Sequence, residues 1–175
     1  MKSTQQFYAG LDVSLEKTAI CIVNYDGDII KEKMVNTDPD SIDNFFKSTG
    51  ITLDKIGVES SNLTIWLYWT LKERQYNIIS IEVRRAAAFM SAQKVKTDRN
   101  DARGIAHMMR GSFYTKVHIK SDQSQRLKLL LNNRKFLVTQ RVDIENQIRG
   151  SLKTFGLKIG ETREYRYDER VRKLV

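Results

Sequence analysis

Apolar residues recur along this chain first with the period of strands and later with that of helices. Phe7–Val13 is an apolar run, and residues 18–24 form a second. In the second run Ile20 and Ile22 fall on one face, and Ala19, Cys21 and Val23 on the other. Two apolar faces predict a strand inside a sheet covered on both sides. Asp26-Gly27 then offers a hairpin turn, where glycine accepts the positive φ required, and residues 28–35 continue as a third strand. Asp38 caps a helix whose first position suits Pro39, since a missing N–H costs nothing there. That helix carries Phe45 and Phe46 and ends at Gly50. A fourth strand spans Lys55–Glu59, and residues 63–74 form a helix with Trp66, Leu67, Trp69, Thr70 and Leu71 on a broad buried face. Residues 77–82 give a fifth strand, and from Arg84 onward only helical periods appear, over 84–92, 98–111 and a long stretch from Asp122. Three meandering strands, strand–helix alternation and then helices predict an α/β fold around a mixed, five-stranded sheet.

The closing helix has its own period. Leu127, Leu130, Leu137, Ile144, Ile148 and Phe155 are spaced as in heptads, with Arg134 and Arg141 at seam positions. The spacing is equally that of an amphipathic helix lying on the sheet. The tail from Gly156 is weakly periodic and stops without a cap, so the chain reads as ending mid-architecture. The expected division is an α/β domain over residues 1–118 and a helical segment over 119–175.

Composition narrows the class. At 175 residues the chain can bury a real core, and its 41% hydrophobic content is too high for a disordered segment. No apolar run approaches the ~20 residues of a membrane span, and MKSTQQFYAG has no apolar signal-peptide core. With Cys21 alone, no internal disulfide or cysteine zinc site forms, which points to a reducing, cytoplasmic setting. Net charge is +9 and unevenly placed: residues 1–83 carry 8 Lys and Arg against 12 Asp and Glu, residues 84–175 carry 22 against 9. A basic half beside an acidic one predicts a polyanion partner next to chemistry that needs carboxylates.

No phosphate-cradling glycine loop is present, no serine lies in a nucleophile elbow, and His107 and His118 lack ligand spacing. Carboxylates at strand ends remain. Asp12 closes the apolar first strand in GLDVS, and Glu59 closes the fourth in GVESS. Asp98 and Asp101, three apart in KTDRNDA, share a face of the helix they open. Acids also suit a helix first turn for dipole reasons, and Thr97 suits its N-cap, so this pair alone is equally a cap. Four acids converging from two strands and a helix repel unless a cation neutralises them, and oxygen-only donors favour Mg²⁺ or Mn²⁺. Lys96, Arg99 and Arg103 flank them, while Arg134, Arg141 and Arg149 recur along the long helix as phosphate-binding candidates.

Three stretches, GLDVSLEKTAICIV, GVESSNLTIWLYWTLKERQYNIISI and RRAAAFMSAQKVKTDRNDARGIA, resemble the N-terminal half of the DEDD transposases, insertion-sequence recombinases guided by a bridge RNA, with Piv-type DNA invertases among their relatives. The long helix resembles the family's coiled-coil segment. The resemblance implies an RNase H-like, RuvC-type domain. In it Asp12, Glu59, Asp98 and Asp101 form the catalytic, metal-binding tetrad for Mg²⁺ or Mn²⁺. It also implies DNA and guide (bridge) RNA as partners, homo-oligomers built through the coiled coil, and no membrane. Ser60, Ser61 and Asn62 replace the family's usual Gly and aromatic after Glu59, and Val83 replaces a common Pro. The family's C-terminal domain, with its nucleophilic serine, is not in this sequence. The competing readings are a standalone Holliday-junction-resolvase-like nuclease, an actin-like ATPase half, and a catalytically silent nucleic-acid-binding or dimerisation module. The intact tetrad argues against the last, and KTDRNDA against the ATPase.

Overall fold

The computed structural model describes residues 6–82, 97–161 and 166–175; the predicted helix over 84–92 and Lys96 lie outside them. In chain order the described elements are β1 (Phe7–Val13), β2 (Lys17–Asn24), β3 (Ile29–Asn36), α1 (Pro39–Thr49), β4 (Lys55–Glu59), α2 (Thr64–Glu73), β5 (Ile78–Glu82), α3 (Asp98–Gly111), β6 (Thr115–Lys116), α4 (Asp122–Thr154) and α5 (Tyr167–Arg172). The strands form one mixed sheet in the order β3-β2-β1-β4-β5-β6. β1, β2 and β3 pair antiparallel, and β1, β4 and β5 pair parallel, as an RNase H-like fold requires. The expected five strands are six among the described residues. β6 joins the sheet by pairing Ile81 with Lys116 and Glu82 with Thr115. Two residues are too few to carry an alternation, which is why only helices were legible after Arg84.

Local chemistry sets the boundaries. Asn24 Oδ1 accepts from the N–H groups of Gly27 and Asp28, both at 2.8 Å, and Gly27 takes φ +100° in the β2–β3 turn. Asp38 caps α1 by accepting from Ser41 N–H at 2.7 Å, and Gly50 closes it at φ +66°. Thr97 caps α3, accepting from Asn100 N–H at 3.3 Å.

Residues 1–119 and 120–175 are two compact units. In the first, the alternation of β2 is realised as read. Ile20 and Ile22 join a core with Leu11, Val58, Phe46 and Leu67, under α1 and α2. Ala19, Cys21 and Val23 join the opposite core with Ile105, Ala106 and Met109 of α3. The buried face of α2 needs a correction. Thr64, Leu67, Tyr68 and Leu71 are buried, whereas Trp66 is 43% exposed. Those four positions stand at i, i+3, i+4 and i+7, one stripe of a 3.6-residue helix, and Trp66 falls outside it. Asp43, buried on α1, ties the two helices together. It accepts from Arg74 at 3.0 Å, Lys47 at 2.8 Å and Tyr76 Oη at 2.7 Å.

The seat of α3 is set by two glycines. A Cβ on Gly10 would collide with the backbone of Ala102 and Ala106. One on Gly57 would come within 2.7 Å of Ile105 Cγ2 and 2.8 Å of Met109 Cγ. A second fastening is Arg103, which grips Glu32 of β3 with both carboxylate oxygens engaged, Nη2 to Oε2 at 2.7 Å. This guanidinium holds the Glu32 carboxyl below its ordinary range, against the opposing effect of burial.

In the second unit, α4 buries none of its residues. The tail is better organised than its periodicity suggested. Tyr167 of α5 is buried and donates to Glu145 O at 2.7 Å, and Arg170 donates to Ile159 O at 3.3 Å.

Two expectations follow. Gly10→Ala should lower stability by about 3 kcal/mol or more, since backbone must move, and Gly57→Ala by about 1–2 kcal/mol, since only the side chains of Ile105 and Met109 must give. Chemical denaturation should rank them so; equal losses would contradict the seat. Glu32→Gln should cost about 1–2 kcal/mol at pH 7 by leaving Arg103 half-satisfied. Because the folded-state pKa of Glu32 is lowered, its contribution is present above the unfolded value near ~4.3 and is lost as pH falls through the folded one. The difference in melting temperature between native and variant should therefore shrink as pH falls below about 4.

Candidate metal and nucleic-acid edge

β1 and β4 run parallel with Gly10 beside Gly57 and Leu11 beside Val58, so one step further Asp12 and Glu59 are neighbours at the strand ends. Gly10 and Gly57 both face α3. Side chains two apart on a strand share a face, so Asp12 and Glu59 emerge on that same side. The direction of α3 brings its first turn there. Its last turn lies at the other end of the sheet, where Arg110 donates to Tyr25 O at 3.1 Å, and Ala102 and Ala106 sit over Gly10. The first turn, with Asp98 and Asp101, therefore lies toward Asp12. Asp98 is one turn before Ala102 on the sheet-facing stripe, and Asp101 is adjacent. Glu59 and Asp98 are exposed, Asp12 and Asp101 half-buried.

The fold thus brings two strand ends and a helix start to one edge and one face. It does not bring the acids to ligating distance: among the described residues no three His, Cys, Asp or Glu side chains form a group able to hold one ion. The donor chemistry itself, carboxylate oxygen without sulfur or imidazole, fits a hard divalent cation.

Thr64 is a residue that sequence reading missed. Its hydroxyl donates to Glu59 O at 2.9 Å and accepts from Ser61 N–H at 3.0 Å, fixing the turn of Ser60, Ser61 and Asn62 by which the chain leaves Glu59. The serine three residues before it was the available signal. Glu32 was missed too, because its partner lies 71 residues away.

The basic residues divide. Arg99 is exposed, and its charge helps hold the Glu32 carboxyl ionised. Arg103 is committed to Glu32. Arg134 and Arg141 are exposed on α4, Arg141 standing 3.5 Å from Glu145. Arg149 donates to Gly160 O at 2.6 Å and stacks 5.0 Å over the Tyr167 ring, inside its own unit. Two other reactive side chains are quiet. The Cys21 thiol is pushed up to about 12, first by burial and then by Glu32, and burial lowers the pKa of His107, leaving it a neutral packed side chain at pH 7.

A search of curated proteins finds no match to the chain. Among family models, that of the DEDD transposases of the IS110 type, described as transposase, matches residues 9–156. The match runs from β1 through the end of α4, across the carboxylate edge and the helix that approaches it. The chain belongs to the DEDD transposase family.

Proposed function

We propose that this chain is the catalytic domain of a DNA recombinase that acts on phosphodiesters through a divalent ion held by Asp12, Glu59, Asp98 and Asp101. The register that sets Asp12 beside Glu59, beneath the first turn of α3, carries this reading. Each acid has a part. Asp12 and Glu59 are fixed by strand backbone, and Asp98 and Asp101 by a capped helix, so the edge offers oxygens on rigid elements. Mg²⁺ or Mn²⁺ bound there supplies Lewis-acid stabilisation of the charge that develops on the phosphate oxygens. Arg99, Arg134 and Arg141 supply phosphate contacts to DNA, and a guide RNA would meet the same cations by the same chemistry. No serine of this chain is assigned as nucleophile. A Holliday-junction-resolvase-like nuclease would use the same acids, but the long basic helix favours the recombinase.

Self-association belongs to the same reading. Leu127, Leu130, Leu137 and Ile144 are 58%, 66%, 65% and 56% exposed on α4, an apolar stripe that a second copy would cover at heptad spacing.

Mg²⁺ or Mn²⁺ should raise the melting temperature of the native chain, by ~2.7 kcal/mol of binding free energy at a hundredfold excess over Kd, and much less for Asp12→Asn or Asp101→Asn. Equal shifts in native and variants would refute the tetrad. Sedimentation should show a concentration-dependent oligomer that Leu137→Glu/Ile144→Glu converts to monomer; a native monomer would overturn the pairing.

A further inference from the structure

At the same end of the sheet as the carboxylates, a groove of about 390 Å³ lies between α1 and β3, the edge strand among the described residues. Its polar lining is Lys17, Lys33, Asn36, Ser41, Asn44 and Ser48, with Phe45 among its apolar residues. No carboxylate lines it. The acids of β3, of α1 and of its N-cap are engaged elsewhere. Glu32, on the opposite face of β3, is gripped by Arg103, and Asp38 caps α1 through Ser41 N–H. Asp40 and Asp43 turn to Arg74 on the α2 side. α1 thus segregates its polar groups, acids toward α2 and neutral amides and hydroxyls toward the groove. Neither groove lysine forms an ion pair among the described residues. Lys17 Nζ donates to Asn36 Oδ1 at 2.7 Å, and Lys33 lies 5.9 Å over the Phe45 ring.

The groove's position relates it to the acidic edge. Asp12 pairs with Ala19, and Lys17 is two residues outward on the same face of β2, roughly 7 Å along the strand and 5 Å across. Lys33 pairs with Ile20, on the α1 face. The two cations therefore come from opposite faces of the sheet, and both line the groove at its edge. An open channel with spaced cations and amide or hydroxyl donors suits a repeating anion better than a single small one.

We propose that this groove binds the phosphodiester backbone of the DNA strand running to the acidic edge, with Lys17 and Lys33 as its charge contacts and Asn44 and Ser48 as hydrogen-bonding partners. The proposal rests on the reading that the acidic edge acts on DNA. Its test is the binding of a labelled DNA duplex by the full chain across a salt series, with RNA of the same sequence in parallel. Lys17→Gln/Lys33→Gln should weaken DNA binding severalfold at low salt and flatten the plot of log K against log salt by about 1.8, two contacts at ~0.9 each. Asn44→Asp, an exposed change that spares both lysines, should weaken binding as well, and guards against a folding artefact in the double variant. Both variants should keep the native melting temperature and the native metal-induced shift. Unchanged DNA affinity and slope in the folded variants would overturn the groove, as would a loss confined to RNA. Failure of the underlying reading looks different: native protein without a metal-induced shift, while DNA binding still depends on Lys17 and Lys33.

Discussion

The close approach of α3 to β1 and β4 is the constraint on which the candidate site depends. Where Gly10 and Gly57 lie beneath Ala102, Ile105 and Met109, helix backbone rests almost on strand backbone, and no residue with a Cβ fits at Gly10 without displacing it. This contact fixes the height of the helix over the sheet, and with it the distance from the first turn of α3 to the ends of the strands. Interiors are close-packed, so such a displacement is not absorbed locally but moves a whole element. The two glycines are neighbours across the ladder, which makes the seat a continuous slot across two strands.

Charge is arranged around that seat in two ways. Carboxylates that hold elements together have partners: Glu32 has Arg103, and Asp43 has Arg74, Lys47 and Tyr76. These clusters, one buried at Asp43 and one half-buried at Glu32, satisfy their acceptors, which makes them fasteners and poor candidates for chemistry. The acids at the strand ends and in the first turn of α3 lie on one edge, two of them exposed. Arg103, five residues after Asp98, is paired with Glu32 of β3.

The second unit follows another logic. α4 runs for 33 residues with none buried, and α5 is fastened back by Tyr167, Arg149 and Arg170. Ile159 and Tyr167 are buried in this unit, but most of the large apolar side chains of α4 are exposed, and a helix of that kind draws stability from association more than from its own contacts.

What the sequence determined by itself was the identity of the elements and of the acids. Periodicity placed β1 to β5, α1, α2 and α3 to within a residue or two, because each buried face repeats at the period of its backbone, and the caps Asp38, Thr97 and Gly50 are local chemistry. GLDVS, GVESS and KTDRNDA singled out four carboxylates without any knowledge of their neighbours. The tertiary structure decided whatever depends on partners far apart in sequence. β6 pairs two residues with β5 across a helix, too short a run to leave a pattern. Trp66 faces outward because the stripe on α2 is centred on Thr64, Leu67, Tyr68 and Leu71, which only the neighbouring strands could select. Charge alone offers Arg103 and Arg149 as phosphate contacts, and only folding brings Glu32 to the first, and Gly160 and Tyr167 to the second. Likewise, that Asp12 and Glu59 share an edge and a face follows from the parallel register of β1 and β4, a relation between strands 42 residues apart that no local pattern encodes.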